Sequence, residues 1–215
     1  LSINSDSPSE NQRKGRSNKD VIHLAFDDQN PEIRGIGNLI YGIGWIGAFI
    51  FFVGLFSLIG IMAAGSSVSG PSPPGPTPPT QTLMTAIVES YIYAAELLAE
   101  LFIVLVALIA MLIYGVYRTY KGFSYLSRYV PYTGLGKAGA VLYLIPPLIP
   151  VGNILLGISL FFVGSKYKNA RLKVGGIMTA IPFPLLGFIG LIVAYSGGYS
   201  ILKKYYLTQG QAGQS

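Results

Sequence analysis

Polar and apolar positions separate into blocks along this chain. Between Gly35 and Glu89 there is no charged residue, and Leu101–Tyr117, Ala138–Ser165 and Val174–Leu202 are three further uncharged runs. About 20 apolar residues, rising 1.5 Å each, cover a hydrocarbon core about 30 Å thick. The runs therefore predict an all-α integral membrane protein. We expect two long transmembrane helices, over 35–64 and 83–117, followed by two tandem Pro-broken helical hairpins over 134–165 and 171–202. Four transmembrane helices with the last two kinked are the alternative. A polar basic arm over 1–34, read as cytoplasmic and largely disordered, precedes the membrane domain of 35–204. A polar tail, 205–215, follows it.

Proline positions give these blocks their punctuation. Residues 65–82 carry Pro71, Pro73, Pro74, Pro76, Pro78 and Pro79, the pattern of a stiff polyproline-like loop. Pro146, Pro147 and Pro150 interrupt the third run, and Pro182 and Pro184 the fourth. Proline lacks the backbone donor and its ring clashes with the preceding turn, so these five residues are read as helix-breaking. The flanking halves, taken as 9 to 16 residues, read as too short to cross alone. Each unit then enters and leaves on one side, in a repeat that pairs Lys137 with Lys173, Gly139 with Gly175 and Pro146 with Pro182. In the first run Gly37, Gly44 and Ala48 recur on one helix face, a small-residue pattern suited to close packing in lipid.

Charge adds a topology. Only 11% of residues are charged, against about 25% in globular domains. Arg13, Lys14, Arg16, Lys19 and Arg34 flank the first run, while the Pro-rich loop has no cation. The positive-inside rule puts both termini in the cytoplasm and the loop outside. With both hairpins turning back, the cations at 118–137, 166–173 and 203–204 all fall inside. The tyrosines among them suit headgroup anchoring, so no specific nucleic-acid binding is expected.

Chemistry-bearing residues are scarce. Cysteine is absent and His23 is the single histidine, which leaves no metal or cofactor site and no nucleophile–base pair in view. Beyond Glu32 the carboxylates are Glu89, Glu96 and Glu100. At 100° per residue they share a helix face with Tyr93, near the outer end of the second span. They are a candidate cation or partner site, with a solvated helix extension as the plainer reading. The same face runs on through Tyr114 to Arg118.

Several short stretches carry a family resemblance. They are Tyr120-Lys121-Gly122-Phe123, Gly152-Asn153-Ile154-Leu155-Leu156-Gly157-Ile158, Gly164-x-Lys166-Tyr167 and Leu172-Lys173-x-Gly175-Gly176-Ile177. The region 117–204 resembles an uncharacterised family of archaeal multi-pass membrane proteins found in the Sulfolobales and related thermoacidophiles. The resemblance implies an archaeal cell membrane and brings no site residues. The function expected is a non-enzymatic structural or accessory subunit, meeting the lipid bilayer and other membrane subunits or further copies of itself. The alternatives are a small-solute or ion transporter or channel, and a membrane structural protein of an archaeal virus.

Overall fold

The computed structural model describes residues 22, 24–26, 28–66 and 80–212; side chains at 63–66, 80–87, 89–90, 94 and 210–212 lie outside that description. The basic cluster at 13–19, His23 and most of the Pro-rich loop are likewise outside it. The helices are α1 (Pro31–Ser66), α2 (Thr80–Leu126), α3 (Thr133–Leu142), α4 (Ile149–Lys166), α5 (Ala170–Ala180) and α6 (Pro184–Ala212), with a 3-10 turn at Pro146–Leu148. No strand occurs among the described residues. Four helical stretches are long and apolar enough to cross a membrane: Pro31–Met62, Tyr91–Leu126, Pro146–Lys166 and Pro184–Gln209. The fold class is thus the expected one, an all-α integral membrane protein.

Element ends differ from expectation, for local reasons. Helix α1 starts at Pro31, inside the stretch assigned to the arm. Asn30 accepts a hydrogen bond from the Glu32 N–H (2.9 Å), and Pro31 fills the first helical position, where no donor is needed. Asn30-Pro31 is a helix cap. Ahead of it, residues 24–26 are helical and both Ile22 and Ala25 are buried. Helix α2 runs past residue 117 to Leu126; Arg118 bonds Asn38 of α1, and Lys121 lies over the Tyr117 ring one turn back on the same helix. Helix α6 runs through the expected tail to Ala212, and Tyr206 donates to Asp28 (3.0 Å).

The chain forms two compact units. One spans 48–113, and the other joins Leu1–Gly47 to Tyr114–Ser215. In the first, no described residue is buried. Its surface is largely apolar, from Phe51, Leu58 and Ile61 on α1 to Leu97, Phe102 and Ile103 on α2, with Glu96 and Glu100 exposed among them.

The second unit holds the core. The start of α1 lies antiparallel to the end of α2 at backbone contact: Gly42 faces the Thr119 nitrogen, and a Cβ added to Gly122 would stand 2.5 Å from the Leu39 nitrogen. Gly44 faces the Tyr195 ring of α6 and Gly37 faces Ala25, whereas Ala48 is half-buried in the other unit. Helix α3 packs on α4, α4 on α5 and α5 on α6.

Prolines make the two turns. Ile145 is extended before Pro146, and Pro150 lies in the first turn of α4. Ile181 is extended before Pro182, the conformation a following proline favours, and Pro184 opens α6. Pro146 and Pro184 each take the first position of a helical element, where no backbone donor is needed. The arms on either side then run back along each other as a helical hairpin. One expectation is corrected here: α4 has 18 residues and α6 has 29, so the second arms exceed the lengths assumed and can cross by themselves. The first arms, with 10 and 11 residues, cannot.

Glycines set the arm spacing. A Cβ on Gly139 would lie 2.7 Å from the Leu156 nitrogen, one on Gly157 2.5 Å from the Ala180 nitrogen, and one on Gly175 2.5 Å from the Ala194 nitrogen. At all three interfaces the nearest atom of the facing helix is a backbone nitrogen, so the two backbones approach directly. Gly134, at the start of α3, has nothing within 4 Å. Gly157→Ala should therefore destabilise the protein by about 1–3 kcal/mol through overpacking. Gly134→Ala should be neutral or stabilising by up to about 1 kcal/mol. Thermal unfolding in detergent compares the two; equal effects would contradict the packing described.

Candidate functional site

Polar side chains of the larger unit gather at the end away from the two proline turns. Glu32, in the first turn of α1, forms an ion pair with Lys166 (3.1 Å), and it accepts from the Tyr167 hydroxyl at 2.7 Å. Lys166 also donates to the Tyr129 carbonyl (2.9 Å). One carboxylate thereby ties the start of α1 to the connector after α4, and through Lys166 to the connector before α3. Asp28 accepts from Tyr206 and from the Asn30 N–H (2.8 Å), fastening α6 to the same end. The hairpins close on themselves: the start of the first and the end of its second arm meet at Lys166 and Tyr129.

A second cluster surrounds Arg118. Its guanidinium carbon lies 4.6 Å from the Phe26 ring centroid, 5.4 Å from Tyr41 and 5.3 Å from Tyr114. It donates to Asn38 Oδ1 (2.9 Å) and twice to the Tyr114 hydroxyl. Asn38 is buried and donates to the Arg34 carbonyl (2.8 Å), which turns its oxygen toward Arg118. Arg34 in turn donates to the Phe26 carbonyl (3.0 Å). Two arginines thus pin the short helical stretch before α1, one by its last carbonyl and one by its ring. Three aromatic faces and two neutral acceptors stabilise the Arg118 charge, with no carboxylate paired to it among the described residues.

Polar groups deeper in the hairpins are satisfied internally. Tyr143 donates to Asn153, Ser159 to the Tyr132 carbonyl (2.8 Å) and Thr179 to the Gly175 carbonyl (2.8 Å).

The carboxylates singled out from the sequence stand apart from all this. Glu96, Glu100 and Tyr93 are exposed on α2, Tyr93 at 77%, and none has a hydrogen bond or ion pair among the described residues. Glu89 lies on the same helix, with its side chain outside the description. No group of three His, Cys, Asp or Glu suited to a metal occurs among the described residues. Sequence reasoning missed Glu32 and Asn38, whose partners are 135 and 80 residues away. The Tyr114–Arg118 pair had a signal: helical spacing, and a cation next to an apolar run.

Residues 147–215 match the profile of a family described as "Protein of unknown function (DUF973)". That stretch takes in α4, the connector after it and the whole second hairpin. No curated protein and no solved structure matches the chain. Similarity to an uncharacterised family is therefore shown over the C-terminal part, and the match carries no indication of archaeal origin.

Burial, with the Glu32 hydrogen bond and charge next, pushes the Tyr167 phenol above the ordinary tyrosine range. A pKa raised by folding contributes stability that is complete below the unfolded value, about 10 for tyrosine, and is lost as pH rises beyond it. Tyr167→Phe should cost about 1 kcal/mol near neutral pH. The gap in melting temperature between this variant and the parent should narrow from about pH 9 to 11. A constant gap across that range would show that Tyr167 does not bond Glu32 as a neutral phenol.

Proposed function

We propose that this chain is a non-enzymatic structural or accessory subunit of a larger membrane complex. The observation carrying this reading is the uncovered apolar surface on α2. That helix has 47 residues, more than twice the roughly 20 that a bilayer takes up. Counting about 20 residues back from Arg118, the first cation at its inner end, reaches Leu98. Val88, Tyr91, Ile92, Tyr93 and Leu97 lie beyond that point and are 55–77% exposed. With Arg118 at the inner boundary, the hydrocarbon core ends short of them, and an apolar patch facing water marks a protein contact. Glu96 and Glu100 then form the polar rim of that contact and need no cation.

The transport alternative has weaker support. Of Asn153, Ser159, Thr179 and Ser196, the four polar groups that would line a path, the first three are spent on Tyr143, Tyr132 and Gly175. In this reading both termini face the cytoplasm and the Pro-rich loop is outside, in the archaeal cell membrane that the resemblance implies. Each hairpin dips into lipid and returns.

Native purification in a mild detergent tests the subunit role. The chain should elute as part of a stable assembly, with a partner or with further copies. Leu97→Lys with Tyr93→Lys should release it as a single folded chain with unchanged melting temperature. Elution of the unaltered protein as a lone chain would contradict the reading.

A further inference from the structure

We propose that the connector between the hairpins, with the adjoining turn of α6, binds the phosphate of an anionic lipid headgroup through Lys168, Arg171, Lys203 and Lys204. All four are exposed. The two described carboxylates at this end are engaged elsewhere, Asp28 by Tyr206 and Glu32 by Lys166 and Tyr167. None of the four cations has an ion-pair partner among the described residues.

The fold brings the segments that carry these cations together. Asn169 caps α5 by accepting from the Leu172 N–H (3.0 Å), and its amide donates to the Gly197 carbonyl (3.0 Å) and Ser200 hydroxyl (2.7 Å) of α6. Lys203 and Lys204 follow Ser200 by three and four residues, so they share its helix face. Lys168 and Arg171 flank Asn169 on the other side of that clamp. The apolar run of α6 stops at Leu202, which sets the lysines at the depth where hydrocarbon gives way to headgroups.

Two of the four residues stand where local rules disfavour them. Lys168 has φ 50. It occupies the left-handed position of a helix stop in which Asn169 N–H bonds the Gly164 carbonyl (2.9 Å) and Lys168 N–H bonds the Ser165 carbonyl (3.3 Å). Glycine is the usual occupant there. The other non-glycine with positive φ among the described residues, Tyr132, has its ring 4.5 Å from Phe162 and its carbonyl bonded to Ser159. Packing accounts for Tyr132, whereas the Lys168 ammonium has no hydrogen-bond, ion-pair or ring partner among the described residues. Arg171 lies in the first turn of α5, which contains no acid, at the helix end whose dipole repels a cation. The dipole of α4 favours a cation at Lys168, but it cannot explain Arg171. Breaches of local preference without internal compensation are expected where a ligand supplies it. An anionic phosphate, shared by several ammonium and guanidinium donors, meets that need.

The test uses the full chain in nanodiscs of equal phosphatidylcholine and phosphatidylglycerol, with retained lipid read by native mass spectrometry. Phosphatidylglycerol should be enriched several-fold over its share of the bilayer. Lys203→Gln with Lys204→Gln should return retention to the bilayer ratio. Arg128→Gln, an equal charge loss per residue on the exposed connector before α3, outside the four proposed donors, should leave the enrichment intact. Lys168→Gly separates structure from binding: melting temperature should rise while enrichment falls. Absence of enrichment in the unaltered protein, or enrichment that survives the double lysine variant, would overturn the proposal. So would displacement of the lipid by excess inorganic phosphate, which would mark a site for the free ion, or an Arg128→Gln effect as large as that of the lysines.

Discussion

Backbone contact through glycine is the interaction on which the larger unit depends. In lipid, apolar side chains gain little by leaving one hydrocarbon surrounding for another, so helices associate through close van der Waals contact. Gly139, Gly157 and Gly175 allow that contact at three successive interfaces, with the facing nitrogen 2.5–2.7 Å from where a Cβ would stand. The first arms are too short to span by themselves. They are held because α4 and α6 lie against them at backbone distance, and the proline turns set the direction of return.

From that closure follows the sorting of polar groups. With each hairpin folded back, the ends of its arms meet away from the turns, and Glu32 can reach both Lys166 and Tyr167. The same geometry brings Asp28 to Tyr206 and Asn169 to Ser200. Exposed apolar residues such as Leu144, Ile145, Ile181 and Phe183 lie at or beside the turns. One end of this unit is suited to headgroups and the other to hydrocarbon.

Much of this was legible in the sequence, because length and charge exclusion are one-dimensional signals. The uncharged runs give the spans, and Pro146, Pro147, Pro182 and Pro184 give the breaks. Helix ends were harder to read. Asn30-Pro31 has the composition of a turn as well as of a cap, and only the Asn30–Glu32 bond distinguishes them. Arg118 looked like the end of a span, since the neutral cage of Phe26, Tyr41, Tyr114 and Asn38 draws on residues up to 92 positions apart in the chain. Gly37 and Gly44 were singled out by spacing, yet the closest backbone contacts fall to other glycines. Which glycine meets which depends on hairpin register, and no periodicity within one helix encodes it. The carboxylate face of α2 was visible from sequence, but its meaning depends on what covers Leu97 and Tyr93.

The central claim is that arms closed by glycine contacts return both connectors to one side. The chain has no cysteine, so single cysteines at exposed Ser127 and Ala170, reacted with an impermeant thiol reagent in sealed vesicles of one orientation, measure this directly. Both positions should label from the same side and be silent from the other. Labelling of Ser127→Cys and Ala170→Cys from opposite sides would contradict the account.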